Sequence, residues 1–388
     1  MNKSKNSQNG FAMVFFNILK ACIGGGILEY PYLYQQHGVI LATFYTTLFG
    51  TISLFGCILY MRVNDHYGKN NTLSSISLHI YPKTKVCIDA IILFKCFIVL
   101  LSYFCLIHES LTTICNDLNI KTADIPHKGF AMGFTTVGFL FTLPFVMAKH
   151  IKTLKKTSFL GMVGVVMLLI ASLMFWNTDS GRMHTIGKSL NPITNLGSFV
   201  FSYTCHQNII SVHNEADMSY KELCWSIAVV YGCTTLIYVT FGMINYFCFA
   251  GRTITNKIFD TWPASNTKTT ALTIYTIFLV VTIPLHVHPI KTQISELAKI
   301  RSRLKEKALG VLITVVLFIM AVSGLFSFKK VSRFVAQTFS ALLVFIIPSF
   351  YYLTHSGKKK PVYCGMVVFA IAVGILCLVK TVLDITPN

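Results

Sequence analysis

Charge is what this sequence has least of. Asp, Glu, Lys and Arg together make 12% of the 388 residues, about half of the ~25% found in an average soluble protein. A chain of 43.4 kDa with a mean hydropathy of +0.62 has too little polar surface to solvate a globule of that mass. A soluble enzyme, a nucleic-acid binder and a disordered chain are all excluded on this ground. Paired cysteines are missing too. The twelve Cys stand singly, as at Cys22, Cys57, Cys96, Cys105, Cys205 and Cys377, and no two have CxxC spacing. There is no disulfide framework and no metal-site or cofactor motif, so these residues read as small core hydrophobes. HExxH, paired intramembrane Asp residues and a Ser/His dyad at helical spacing are also missing, which leaves an intramembrane enzyme without support. The first apolar run is long and has glycines at its centre rather than a terminal cleavage site, so a signal peptide is not expected.

What the sequence does have is long apolar runs. A spanning helix takes about 20 residues, and reading windows of ~19 residues gives eleven candidates. They are 11–36, 38–61, 86–115, 129–147, 159–176, 192–214, 223–249, 269–288, 309–326, 334–354 and 361–383. Between them lie short loops, with no room for a separate soluble domain. The net charge of +19 follows from the same topology, because cytoplasmic loops collect Lys and Arg. With the amino terminus inside, twenty Lys and Arg fall in inside segments and ten in outside loops. The bias puts the amino terminus in the cytoplasm. Lys329, Lys330 and Arg333 form a basic cluster against the trend.

Two spans are unlike the rest. The first carries Gly24-Gly25-Gly26, then Ile27-Leu28-Glu29-Tyr30-Pro31. Glycine costs roughly 1 kcal/mol against Ala in a helix, and a mere anchor gains nothing from three. The sixth carries Cys205-His206-Gln207-Asn208, which is costly in hydrocarbon unless it faces a cavity or finds partners. Gly25 and His206 lie 181 residues apart, close to half the chain. Interrupted spans at matching positions in two halves point to an inverted-repeat transporter with a midplane site. An unwound helix exposes N–H groups on one side of the break and C=O groups on the other. The half-helix starting near Ile27 suits a carboxylate, and the carbonyls near Thr204 suit an ammonium. An α-amino acid carries both groups. Each feature also has a plainer reading: close helix packing for the glycines, and a buried hydrogen-bonded side chain for His206.

At these residues the sequence resembles the amino acid/auxin permease family, which includes sodium-coupled, proton-coupled and fungal vacuolar amino-acid transporters. Asn17 through Leu28, with Pro31, is similar to the family's first-span signature. Phe201 through Asn208, ending at Asn214-Glu215, resembles its sixth-span Cys-His motif, closest to the fungal vacuolar branch. Thr282-Ile283-Pro284-Leu285 with Pro289 resembles the eighth-span proline segment. The resemblance implies an all-α, LeuT-like fold with inverted repeats over 11–176 and 192–354 and a peripheral helix at 361–383. It implies secondary transport of amino acids across a vacuolar or plasma membrane, with substrate against Gly24, Gly25, Gly26, Ile27, Thr204, Cys205 and His206.

Two residues depart from the pattern. Lys20 stands where sodium-coupled members carry a sodium-ligating Asn. A fixed cation there opposes Na⁺, and proton-coupled members also carry Lys, so protons are the expected coupling ion, with Thr282 as the eighth-span partner. Snorkelling of Lys20 to the interface is the alternative. Glu29, one turn past the glycines, is an intramembrane carboxylate and a candidate for coupling or selectivity; a hydrated place at the outer mouth is its alternative. Lys95 is expected to pair with Asp89 or to reach the inner surface. His108-Glu109 and the three Trp, at 176, 225 and 262, are expected at the interface. A transporter-like amino-acid sensor is the competing function. The short tail before Phe11 and the basic segment 289–308 offer it little to dock with.

Overall fold

A computed structural model of the chain describes residues 2–68, 71–120, 127–147, 155–176, 184, 187, 195–216, 218–328, 331, 334, 336–355 and 361–385. Every regular element among them is helical. Six stretches are long and apolar enough to cross a membrane: Gly25–Tyr67, Pro82–Asp117, Gly129–Val146, Tyr220–Phe249, Asn266–Leu297 and Tyr363–Lys380. Three shorter apolar helices, Gly10–Cys22, Met162–Met174 and Thr338–Thr354, accompany them. The chain is a multi-pass membrane protein. Lys329, Lys330 and Arg333 lie outside the described residues.

Helix α1 (Asn2–Cys22) stops where the glycines begin. Gly24 has φ −84° and ψ −142°, away from the helical region, and Gly25–Glu29 form a single 3₁₀ stretch. Helix α2 (Tyr30–Tyr67) restarts with Pro31 in its first turn, where a missing N–H costs nothing. Gly25–Tyr67 is 43 residues, about 65 Å as straight helix, twice the ~30 Å of a hydrocarbon core. Gly38, at φ 77°, breaks it, which agrees with the boundary read between 36 and 38.

Helices α3 (Leu73–Ile80), α4 (Lys85–Asp117), α5 (His127–Val146) and α6 (Lys155–Met174) follow. The second broken span is α7 (Leu196–Ser202) and α8 (His206–Glu215) with Tyr203–Cys205 unwound between them. Then come α9 (Tyr220–Phe249), which opens on a Ser219/Glu222 capping box, the short α10 (Ile258–Thr261), α11 (Asn266–Leu297) and α12 (Arg303–Val322). Residues 336–346 are wound as π-helix and run into α13 (Ile347–Thr354); α14 is Pro361–Ile385.

Packing divides the chain into two bodies. Helices α1, α2, α8 and α9 pack on one another, and α4, α5, α11 and α12 do the same, while α6 touches both α11 and α1. Both broken segments belong to the first body. Of the three Trp, Trp176 and Trp225 are exposed as expected at an interface. Trp262 is not: it is buried and donates to Asn245 Oδ1 at 2.9 Å, because Asn245 needs an indole N–H to be satisfied in the core.

Candidate functional site

The two helix breaks meet in the interior. Their junction is the Tyr238 hydroxyl, 2.8 Å from the Cys22 carbonyl and 2.7 Å from the Ser202 carbonyl. These are the last residues of α1 and α7. Tyr275 Oη donates to the Gly24 carbonyl at 3.0 Å, and Tyr231 Oη donates to the Tyr203 carbonyl at 3.1 Å. Carbonyls expected to be free for an ammonium are thus partly taken by tyrosine hydroxyls. The rings form a box: Tyr30 stacks on Tyr238 with centroids 4.2 Å apart, and Tyr203 meets Tyr238 edge-on at 5.4 Å. None of these tyrosines stands out in the reading of motifs. The signal was the seven-residue spacing of Tyr231 and Tyr238, which puts both on one face of α9.

Gly24, Gly25, Gly26 and Ile27 are buried, as are Thr204, Cys205 and His206. The glycines have no room for a side chain. A Cβ on Gly24 would overlap the Tyr103 hydroxyl; on Gly25 it would lie 2.6 Å from the Phe328 ring; on Gly26, 2.7 Å from Ser202 Oγ. Close packing, the plainer reading of the triplet, is therefore present at the break itself. The second break is dense in polar groups. His206 Nε2 lies 3.0 Å from the Ser53 carbonyl and must carry the proton there, since a carbonyl only accepts. His206 Nδ1, Gln207 Nε2 and both amide atoms of Asn208 are buried and find no hydrogen-bond partner among the described residues. Buried polar atoms of that kind call for an explanation, and a ligand site is one. The thiols of Cys57 and Cys205 and the His206 imidazole place their ligand atoms within 4.8 Å of one another, and Tyr231 Oη is 3.3 Å from each sulfur. Among the described residues, this is a group whose donors suit a soft metal ion. No CxxC spacing announces it, because Cys57 comes from α2 and the adjacent Cys205 and His206 from the second break.

Lys20 is fully buried and donates to the Val281 carbonyl at 3.0 Å. It does not snorkel. Pro284 interrupts the α11 ladder one turn along, and Lys20 takes a carbonyl beside that interruption. The neighbouring Thr282 hydroxyl turns back to Phe278 O at 2.7 Å. Glu29 is 7% exposed, so it sits inside rather than in water at the mouth. Lys95 departs from expectation as well: Asp89 pairs with Lys85 at 2.7 Å and bonds Gln293, and Lys95 instead donates to Gln207 Oε1 at 2.7 Å. Residue 95 points away from 89 because six residues are not a helical repeat.

A family model described as transmembrane amino acid transporter protein matches residues 7–385. The chain belongs to that family. Vacuolar amino acid transporter 5 of Saccharomyces cerevisiae is 25% identical over 306 residues, 72% of this chain and 65% of that protein. The chain thus spans just under two thirds of that relative's length. Vacuolar amino acid transporter 5 of Schizosaccharomyces pombe is 22% identical, over 95% of this chain and 93% of its own. Putative sodium-coupled neutral amino acid transporter 11 of Danio rerio is 24% identical, with 92% and 81% covered. Among solved structures, MhsT, crystallised with L-phenylalanine, superposes with a TM-score of 0.68 at 14% identity, covering 96% of this chain and 97% of its own. The fold is LeuT-like.

Proposed function

We propose that the protein is a secondary active transporter that moves amino acids across a membrane by alternating access, coupled to protons and independent of sodium. The observation that carries this reading is the meeting of two helix breaks at one tyrosine hydroxyl, Cys22 O and Ser202 O each within 2.8 Å of Tyr238 Oη. An α-amino acid's carboxylate would take the N–H groups that open the 3₁₀ stretch at Gly25, Gly26 and Ile27. Its ammonium would take carbonyl and side-chain acceptors around Thr204, Cys205 and His206, in exchange for one of the tyrosine hydroxyls. The chain acts as one transporter domain, with repeats over 11–176 and 192–354 and a peripheral helix at 361–383. Its yeast relatives are named for the vacuole, which favours the vacuolar membrane, with the amino terminus in the cytoplasm.

Sodium independence rests on Lys20. An ammonium that already holds the Val281 carbonyl fills the place a sodium ion would need, and a cation beside it repels one. The test is uptake of a panel of labelled amino acids into proteoliposomes. Replacing Na⁺ by choline at constant pH should leave uptake unchanged, and an imposed pH gradient should raise it several-fold. Uptake that falls to background in choline overturns the sodium claim. Absence of uptake for every amino acid, with the protein inserted, overturns the transport reading.

A further inference from the structure

His108-Glu109 lies two turns from the far end of α4, the end opposite the amino terminus, where the sequence suggests an interfacial residue. The structure gives Glu109 more to do. Its Oε1 accepts the backbone N–H of Phe328 at 2.9 Å, and its Oε2 accepts Lys257 Nζ at 2.7 Å. Lys257 immediately precedes α10 and also lies 3.5 Å from Asp260. Its proton affinity is the balance of burial, which lowers it, against the Glu109 and Asp260 carboxylates, which outweigh burial and leave it above the ordinary lysine value. One carboxylate thus ties α4 to two segments distant in sequence. Phe328 is buried, and its ring covers Gly25, 2.6 Å from where a Cβ would stand. Leu106, one turn before Glu109, covers the same glycine, and Tyr103, a further turn back, covers Gly24. Tyr103 and Leu106, three apart, share the face of α4 turned toward the break, and Glu109, three beyond Leu106, lies at the edge of that face.

We propose that Glu109 is a positioning residue for transport: it latches Phe328 over the glycine break and so shuts the site from the side opposite the amino terminus. Substrate entering or leaving by that side requires the Phe328 ring to move. That ring is fixed through its own backbone N–H, so the carboxylate controls it directly. The kinetic part of this proposal rests on the transport reading above; the structural part does not.

Two measurements on the full chain in proteoliposomes separate them. The first is hydrogen exchange in peptides covering 324–328. Loss of a charge-assisted hydrogen bond should speed exchange roughly tenfold or more in Glu109→Ala. Glu109→Gln keeps an acceptor for the Phe328 N–H and should restore most of the protection. The second is KM for an amino acid presented on the far side. Glu109→Ala and Phe328→Ala should each raise KM several-fold with the maximal rate changed less, and the double variant should raise it no further than either alone. Wild-type exchange in Glu109→Ala, an unchanged KM, or effects that multiply in the double variant would each overturn the latch. If the wild type transports nothing, the transport reading falls and the exchange result alone decides whether Glu109 holds Phe328.

Discussion

At the scale of single residues, the glycine triplet and Glu29 make the most direct predictions. Phe328 and Leu106 both crowd the place a Gly25 Cβ would take, at 2.6 and 3.3 Å. Gly25→Ala should therefore suffice to cut uptake by at least tenfold, and Gly25→Val should abolish it, because the neighbouring ring must move and glycine's backbone freedom is lost. Uptake at the wild-type level in a well-expressed Gly25→Ala variant would mean that the break tolerates a side chain and is no substrate cradle. Glu29 is buried at 7% exposure and stands four residues past Gly25. Two charges about 6 Å apart at an effective dielectric near 20 interact by ~3 kcal/mol, and a third of that is still several-fold in affinity. Glu29→Gln should shift relative uptake from Lys and Arg towards neutral or acidic amino acids. If Glu29 carries the proton instead, the same change should flatten the pH dependence. Unchanged selectivity and unchanged pH dependence at matched expression would remove Glu29 from the site.

At the scale of elements, the breaks were legible and their partners were not. Three glycines in a row and four polar residues in an apolar span are local violations of helix energetics, so a sequence exposes them directly. The residues that complete the breaks obey every local rule. Tyr231 and Tyr238 are ordinary apolar-faced residues of α9, and Tyr275 is the same on α11. Only the tertiary fold brings their hydroxyls to Tyr203, Ser202, Cys22 and Gly24 carbonyls. Lys20 was legible as a departure from a motif, whereas its acceptor, Val281 O, was not, since a proline marks where the α11 ladder is interrupted but not which side chain reaches the place. The Tyr238 hydroxyl lies within hydrogen-bond distance of the carbonyls at both half-helix ends. Tyr238→Phe removes the single O–H that these two buried carbonyls share, at ~1–3 kcal/mol. Uptake should drop about tenfold or more, and the thermal midpoint should fall. A Tyr238→Phe protein with wild-type uptake and midpoint would show that the two breaks do not depend on this bridge.

At the scale of the whole molecule, two buried lysines cross between the bodies in opposite senses. Lys20 belongs to the body of α1, α2, α8 and α9 and bonds Val281 O on α11; Lys95 belongs to α4 in the other body and bonds Gln207 on α8. A movement that separates the bodies at these points must break both bonds. Next to Gln207 lies a cavity of about 30 Å³ lined in part by Thr72, Ser211, Thr292 and Gln293. A volume of that size holds one or two waters, and its lining mixes these polar residues with Leu73, Ile92, Ile210 and Pro289. The Lys95–Gln207 bond lies at the edge of this cavity, which Gln207 lines. Lys95→Met keeps the apolar stem and removes the charge and the donor. A hydrogen bond to a charged group is worth ~1.5–3 kcal/mol, so losing it should raise the population open to the amino-terminal side by about tenfold or more. The measurement is the labelling rate of a Ser211→Cys reporter by a membrane-impermeant maleimide applied from that side, in a protein whose exposed and half-buried cysteines are replaced. Faster labelling in the Lys95→Met background, together with uptake that loses its steepest dependence on the gradient, is the expected result. Equal labelling rates with and without Lys95 would show that the two bodies are held together elsewhere and that Lys95 serves only to satisfy Gln207.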